Sequence, residues 1–210
     1  TYLVVGNGRV AQHLRHYFEL AGVSYCTWFR PKHLPGLSTT QDFATQKSEL
    51  DLVSAIQKSS RILLAISDQA IEEFYRKYQS VLQGKVCVHF SGALVTEVVQ
   101  SAHPLTTFAE TAIDHSSYEL ERYRKIPFVT EKGRLRFNEI FPDLQNPSFE
   151  ILPEQKPLYH ALCVLAGNFS ILLWEKAFTD FQTKLGLPPE ALASFLEQTF
   201  RNLAIHTQAN

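Results

Sequence analysis

The chain opens on a short apolar run, Thr1-Tyr-Leu-Val-Val5, which breaks into Gly6-Asn-Gly8 and then into a helical pattern from Arg9 to Ala21, closed by Gly22. The alternation recurs. Ser24–Phe29 reads as a second strand, Arg61–Ile66 as a third and Lys85–Phe90 as a fourth. The third is a continuous apolar run of the kind buried on both faces of a sheet. Between them, Pro31–Thr40 reads as a loop, and helical spacing runs from Ser48 to Lys58 through Leu50, Val53 and Ile56. Another helix follows Ser67-Asp68 through Ile71, Phe74, Tyr75 and Tyr78, and Gly84 stops it. Strands that alternate with helices predict an α/β Rossmann fold, a doubly wound parallel sheet with right-handed crossovers.

The pattern changes later in the chain. Pro127–Thr130 and Ser148–Leu152 read as late strands around a short helix, Gly133–Ile140. From Lys156 to Lys176 the spacing is that of one long helix, apolar nearly all round. Helical spacing continues over Phe178–Leu185, breaks at Gly186, and restarts at Pro188-Pro189-Glu190 to run through His206. The expected organisation is a Rossmann domain over residues 1–152 and a small all-helical domain over residues 153–210. A helix apolar on most sides must be covered by protein. Little chain remains to cover it, so a homodimer through these helices is expected.

Composition narrows the classes. At 210 residues the chain has the length of one larger domain or of a domain with a small companion. A net charge of −1 gives no reason to expect nucleic acid or an anionic membrane as partner. The mixed-charge stretch Glu119–Arg136 reads as a solvated face. Cys26, Cys87 and Cys163 are odd in number, far apart and set in apolar runs, so they read as buried thiols of a reducing compartment. The longest apolar run, Leu158–Trp174, is interrupted by His160 and Asn168 and reads as too short and polar to span a bilayer. A cytoplasmic protein with no membrane partner is expected.

The glycine turn is the first candidate for chemistry. In Gly6-Asn7-Gly8-Arg9-Val10-Ala11, Gly6 permits the tight turn and Gly8 lets the backbone approach a pyrophosphate. Ala11 lets helix and strand pack closely, and the helix N-terminus supplies amide donors to the anion. The second strand then ends on Arg30, with Lys32 and His33 close behind. An NAD site places a carboxylate there for the ribose hydroxyls, whereas an arginine accommodates the additional phosphate of NADP. The alternative for this segment is a solvated basic loop. NADP(H) is therefore the expected cofactor. Ligands of such sheets bind at the carboxyl ends of the strands. That rule adds Ser67, Asp68, Ser91 and Gly92 to the same rim.

Substrate chemistry is expected just beyond that rim. His103 precedes Pro104, which holds its backbone extended. Ser91 can donate to a substrate oxygen or merely close a turn. Lys156 and His160 are four apart on one helical face, and Asn168 can reach the same cleft. A ketone or imine reductase needs a hydride source, a proton donor and something to orient a carboxylate. Lys156 or His160 suits the donor role, and Asn168 suits an oxyanion. His13 and His16, on the first helix, read as plain surface. No metal motif is present.

The runs Gly6–Ala11, Ser67–Ile71, His89–Gly92, His103–Leu105 and Lys156–His160, followed by Gly167-Asn168, occur in the order found in one bacterial family. Together they resemble Rossmann proteins with a helical C-terminal domain of long-unknown function. That family sits near the pyrroline-5-carboxylate reductases, 6-phosphogluconate dehydrogenases and ketopantoate reductases. The resemblance implies an NADP-dependent oxidoreductase, usually dimeric, with its active site between the two domains. Some members are assigned as an alternative type of ketopantoate reductase, which serves pantothenate synthesis. It also implies that Ser91, His103, Lys156, His160 and Asn168 line the substrate side. The expected reaction is NADPH-dependent reduction of a small 2-oxo acid, with ketopantoate as the specific choice. An imine reductase of the pyrroline-5-carboxylate type and a non-catalytic NADP(H)-binding regulator are the alternatives.

Overall fold

The computed structural model describes residues 1–30, 38–108 and 119–208. The chain divides into two compact units, Thr1–His160 and Ala161–Asn210.

The first unit is built on a seven-stranded sheet of order β2-β1-β3-β4-β5-β6-β7. Its strands are β1 (Tyr2–Val5), β2 (Tyr25–Trp28), β3 (Arg61–Leu64), β4 (Val86–His89), β5 (Gln100–Pro104), β6 (Phe128–Glu131) and β7 (Ser148–Ile151). The helices between them are α1 (Arg9–Ala21), α2 (Ser38–Lys58), α3 (Asp68–Leu82), α4 (Leu120–Arg124) and α5 (Phe137–Ile140). Helix α2 starts at Ser38, so the loop expected over Pro31–Thr40 is helical at its end; residues 31–37 lie outside the described residues.

Strand β1 explains the double winding. All four of its residues are buried, and successive side chains go to opposite faces. Tyr2 and Val4 join a core with Ala11, Leu14 and Phe18 of α1, while Leu3 and Val5 join one with Leu52 and Ile56 of α2 and Ile71 of α3. A strand covered by helices on both faces must be apolar throughout, as this one is.

One strand pair departs from the parallel pattern. Strands β2, β1, β3, β4 and β5 run parallel, but β6 pairs antiparallel with β5, and β7 then runs parallel to β6. Strand β5 is also shifted upward. Its second residue, Ser101, pairs with His89, the last residue of β4, so the rest of β5 extends past the end of β4. The reversed β6 descends beside it, pairing Ala102 with Thr130 and Pro104 with Phe128.

Two surface expectations fail. His13 and His16 are buried, at 2% and 6% exposure. The His13 ring stacks on Phe108 at 4.2 Å, with Nδ1 2.8 Å from the Tyr123 hydroxyl, and His16 meets the edge of Tyr123. Residues more than ninety positions away turn that face of α1 into core. The mixed-charge stretch is likewise not uniformly solvated: Tyr123 and Glu131 within it are buried.

Past β7, Pro153–Gln155 forms a 3-10 turn and α6 (Lys156–Val164) begins. In the second unit a π-helical turn, Leu165–Phe169, leads into α7 (Ser170–Leu185), and Gly186 closes that helix in the left-handed conformation. Trp174 of α7 packs against Phe195 and Phe200 of α8 (Glu190–Gln208). Leu162, Leu165, Phe169, Leu172 and Leu173 are exposed. The helical run Pro153–Leu185, 33 residues whose most apolar window has a mean hydropathy of 1.4, is long and apolar enough to cross a bilayer. His160 and Asn168 therefore do not interrupt it as strongly as expected from the sequence.

Candidate functional site

The carboxyl end of β1 turns through Gly6, whose φ is +122° and whose amide donates to Trp28 O of β2 at 2.9 Å. A Cβ at this position would stand 2.2 Å from Ala65 O, so only glycine passes here. Gly8, the N-cap of α1, is open: a Cβ would meet nothing within 4 Å. Ala11 is fully buried one turn on, where the helix closes against the sheet. The loop is braced from behind. Arg15 donates to Asn7 Oδ1 at 2.9 Å, and Gln12 Nε2 donates to Asn7 O at 3.1 Å. Among the described residues no side chain caps the start of α1, and no acidic residue lies in its first turn to repel an anion there.

This loop forms one wall of a crevice of about 480 Å³. Gly6, Asn7, Gly8, Arg9 and Val10 line one side, Ser67 and Asp68 the next, and Ser91 the far end. Of the expected cofactor residues, Ala11 packs behind the loop and Gly92 is buried beside Ser91. Arg30 lies exposed two residues beyond β2, while Lys32 lies outside the described residues.

At the Ser91 end, polar groups are tightly coupled. Ser91 Oγ donates to Asp68 Oδ2 at 2.6 Å and accepts from the amides of Ala93 and Leu94. The serine therefore does close a turn, and in doing so ties it to the first residue of α3. Ser91 N donates to His89 Nδ1 at 3.2 Å. That contact makes Nδ1 the acceptor and leaves the His89 proton on Nε2, a buried atom with no hydrogen-bond partner among the described residues. Burial, reinforced by the Lys156 charge, pushes the His89 pKa down to about 3, so this ring is neutral.

Gly92 lies between two more imidazoles. A Cβ on it would come within 2.8 Å of His160 Nδ1 and 3.1 Å of His103 Nε2. His103 Nδ1 is 2.7 Å from the Tyr159 hydroxyl. Burial, with the charges of His160 and Lys156, lowers the His103 pKa to about 4. His160 Nδ1 is buried without a hydrogen-bond partner among the described residues.

Lys156 is placed differently from the expectation of a donor facing the cleft. It is 2% exposed, and its ammonium donates to Leu94 O, to Ser101 Oγ at 2.9 Å and to Glu131 Oε1 at 2.7 Å. All three N–H groups are consumed. Burial lowers the Lys156 pKa, against the opposing pull of Glu131. The ammonium thus fastens the start of α6 to β5, β6 and the segment after β4. His103 and His160 meet at Gly92, with Ser91 next in the chain, whereas Lys156 is sequestered behind them. Asn168 is exposed on the π-helical turn of the second unit.

Sequence reasoning missed three participants. Glu131 was concealed inside a charge-rich stretch, although it closes the buried run Phe128-Val-Thr-Glu131. Ser101 carries no sequence signal; the register that sets it beside His89 decides its role. Tyr159 was legible only as part of the Lys156–His160 run.

Residues 129–210 match the family described as Domain of unknown function (DUF2520). That match covers the end of the first unit and all of the second, and it fits the family resemblance seen in the motifs. No curated protein sequence matches the chain. Among solved structures, a Bacteroides fragilis protein assigned as an NADP oxidoreductase is similar at a TM-score of 0.64 and 17% identity, over 97% of this chain and 80% of that one. Plasmodium falciparum pyrroline carboxylate reductase, solved with NADP bound, aligns at a TM-score of 0.64 and 14% identity, over 100% and 79%. A Streptomyces aurantiacus imine reductase aligns at 0.64 and 12%, over 99% and 75%. This chain has the Rossmann fold of those oxidoreductases.

Proposed function

We propose that this protein is an NADP(H)-dependent reductase of a small carbonyl or imine compound, and that conversion of 2-dehydropantoate (ketopantoate) to pantoate is its reaction. The observation that carries the reading is the crevice. Its glycine loop excludes any side chain at Gly6, stays open at Gly8, and leads directly to Ser91. Arg30 at the end of β2 supports NADP over NAD, because a guanidinium there pairs with a phosphate rather than with ribose hydroxyls. Residues Gly6–Val10 would hold a dinucleotide in this crevice, with Ser67, Asp68 and Ser91 lining the end away from the glycine loop. The NADP(H)-linked activities of the structural neighbours agree with this assignment.

The cofactor supplies a hydride when bound. The chain's own residues do the remainder. The loop amides hold the pyrophosphate, Ser91 and Asp68 fix the turn at the reactive end, and His103 and His160 hold or protonate the substrate heteroatom. Lys156 acts by fixing α6 rather than as the acid. Asn168 remains a candidate to hold a substrate oxygen. The exposed leucines of the α6–α7 run support a homodimer in which a second copy covers them. Three free thiols support a reducing, cytoplasmic setting.

The imine reading is favoured by one feature. With Lys156 consumed and His103 neutral, two of the expected proton donors are weak acids, and an imine depends less on a donor than a ketone does. Loss of reduced-nicotinamide absorbance with ketopantoate, pyrroline-5-carboxylate and other 2-oxo acids tests the proposal. Turnover of ketopantoate alone supports the full assignment, and turnover of the imine alone transfers it to that class. Tight NADPH binding with no turnover of any of them favours a regulator. His160→Ala lowers turnover of a ketone more than that of an imine.

A further inference from the structure

Tyr159 has no part in the roles so far assigned, yet its hydroxyl makes the closest contact to a ring at the rim. It lies on the first turns of α6, whose position is fixed three residues earlier by the bonds of Lys156 to Leu94 O, Ser101 and Glu131. From there the phenol meets His103 Nδ1 at 2.7 Å, edge-on to the ring. His103 is held from the other side as an extended residue of β5, paired with Val129. Its second nitrogen, Nε2, is directed to Gly92, where any side chain would collide with it and with His160. A side chain at this position would push on both rings, so glycine lets them approach the rim next to Ser91 undisturbed.

A neutral imidazole carries one proton, and its place is set by the bond made at the other nitrogen. We propose that Tyr159 is the positioning residue that sets the tautomer of His103. Its hydroxyl donates to Nδ1, which keeps the His103 proton on Nε2, facing Gly92, as a neutral hydrogen-bond donor to the oxygen or nitrogen of the substrate's reducible bond. This deepens the reductase reading and rests on it. A neutral donor suits a site where Lys156 and His160 crowd the same ring, because an imidazolium there would be repelled. It also points to a substrate whose reacting group is a hydrogen-bond acceptor, a carbonyl oxygen or an imine nitrogen. The role is orientation and polarisation, in the way that outer hydrogen-bond partners fix the tautomer of working histidines elsewhere.

Nitrogen-15 correlation spectra of the uniformly labelled, ligand-free protein test this directly. The signals of His103 are assigned by their loss in His103→Asn. The expected result is a neutral Nε2–H tautomer in the wild type and a loss of that preference in Tyr159→Phe, a variant that removes one oxygen atom. A wild-type Nδ1–H tautomer, in which the ring donates to the phenol, overturns the proposal without any variant. In steady-state kinetics Tyr159→Phe lowers kcat roughly 10- to 100-fold, while the NADPH dissociation constant is unchanged. Full kcat in Tyr159→Phe with an altered tautomer also overturns it. If the wild type turns over no carbonyl or imine, the reductase reading fails, and the spectra still decide the tautomer.

Discussion

An alanine at position 6 would need both a backbone φ of +122° and space already held by Ala65 O at 2.2 Å. Gly6→Ala is expected to cost at least about 2 kcal/mol and to abolish NADPH binding, measured by urea unfolding and nucleotide fluorescence. Gly8 differs: it has room for a side chain, so Gly8→Ala leaves stability nearly unchanged while weakening the same binding. At Arg30 the expected effect is on selectivity. Arg30→Ala lowers NADPH affinity roughly tenfold, the scale of one charge-assisted hydrogen bond, and leaves NADH affinity nearly unaltered. Competition titrations of the two nucleotides check it. The glycine positions were readable from the sequence because backbone geometry limits the residue choice locally. The fate of Lys156 was not, since a lysine four residues before a histidine looks the same whether its ammonium meets a substrate or a buried Glu131.

Strands and helices with a local pattern were legible in the same way. The β1 run and the α1 spacing read correctly because burial on two faces, or on one, imposes its period on the residues themselves. The reversal of β6 was invisible, since an apolar four-residue strand has no direction in its composition. Yet that reversal decides where Glu131 lies. One step beyond the Ala102–Thr130 pair, it stands beside Ser101, and both take the Lys156 ammonium. Removing Glu131 leaves the buried Lys156 ammonium without its carboxylate, and removing Lys156 leaves buried Glu131 with only Arg134, 3.8 Å away. Lys156→Met or Glu131→Leu is therefore expected to destabilise the first unit by about 3–5 kcal/mol. The double variant Lys156→Met with Glu131→Leu recovers much of that loss, and a double-mutant cycle from denaturant midpoints measures the coupling.

The whole molecule is sensitive to acid through its interior. Buried His89 and His13 have pKa values near 3 and 4, below the ordinary histidine value of 6.5, so the unfolded chain binds protons that the folded chain refuses. Their contribution is complete above about pH 6.5 and is lost as pH falls toward 4, at up to about 1.4 kcal/mol per pH unit for each ring. Denaturant midpoints measured across that range should fall accordingly, and His89→Asn should flatten the fall. The sequence placed His13 at the surface because Phe108 and Tyr123, which enclose it, are remote in the chain. The exposed leucines of the α6–α7 run predict a mass of two copies by light scattering. Leu162→Glu combined with Leu173→Glu should return it to one copy.

The DUF2520 match begins at Val129, within the reversed strand β6. Evolution could exchange the chain on either side of that point only at a cost in compatibility. The later segment carries Glu131, Lys156, Tyr159 and His160, whereas Leu94, Ser101 and His103 belong to the earlier one. Grafted onto another nucleotide-binding sheet, the later segment would bring an ammonium lacking two of its three acceptors and a phenol without its imidazole. A hybrid would therefore need a donor sheet that supplies a serine and a histidine in place of Ser101 and His103 and a backbone carbonyl where Leu94 O lies.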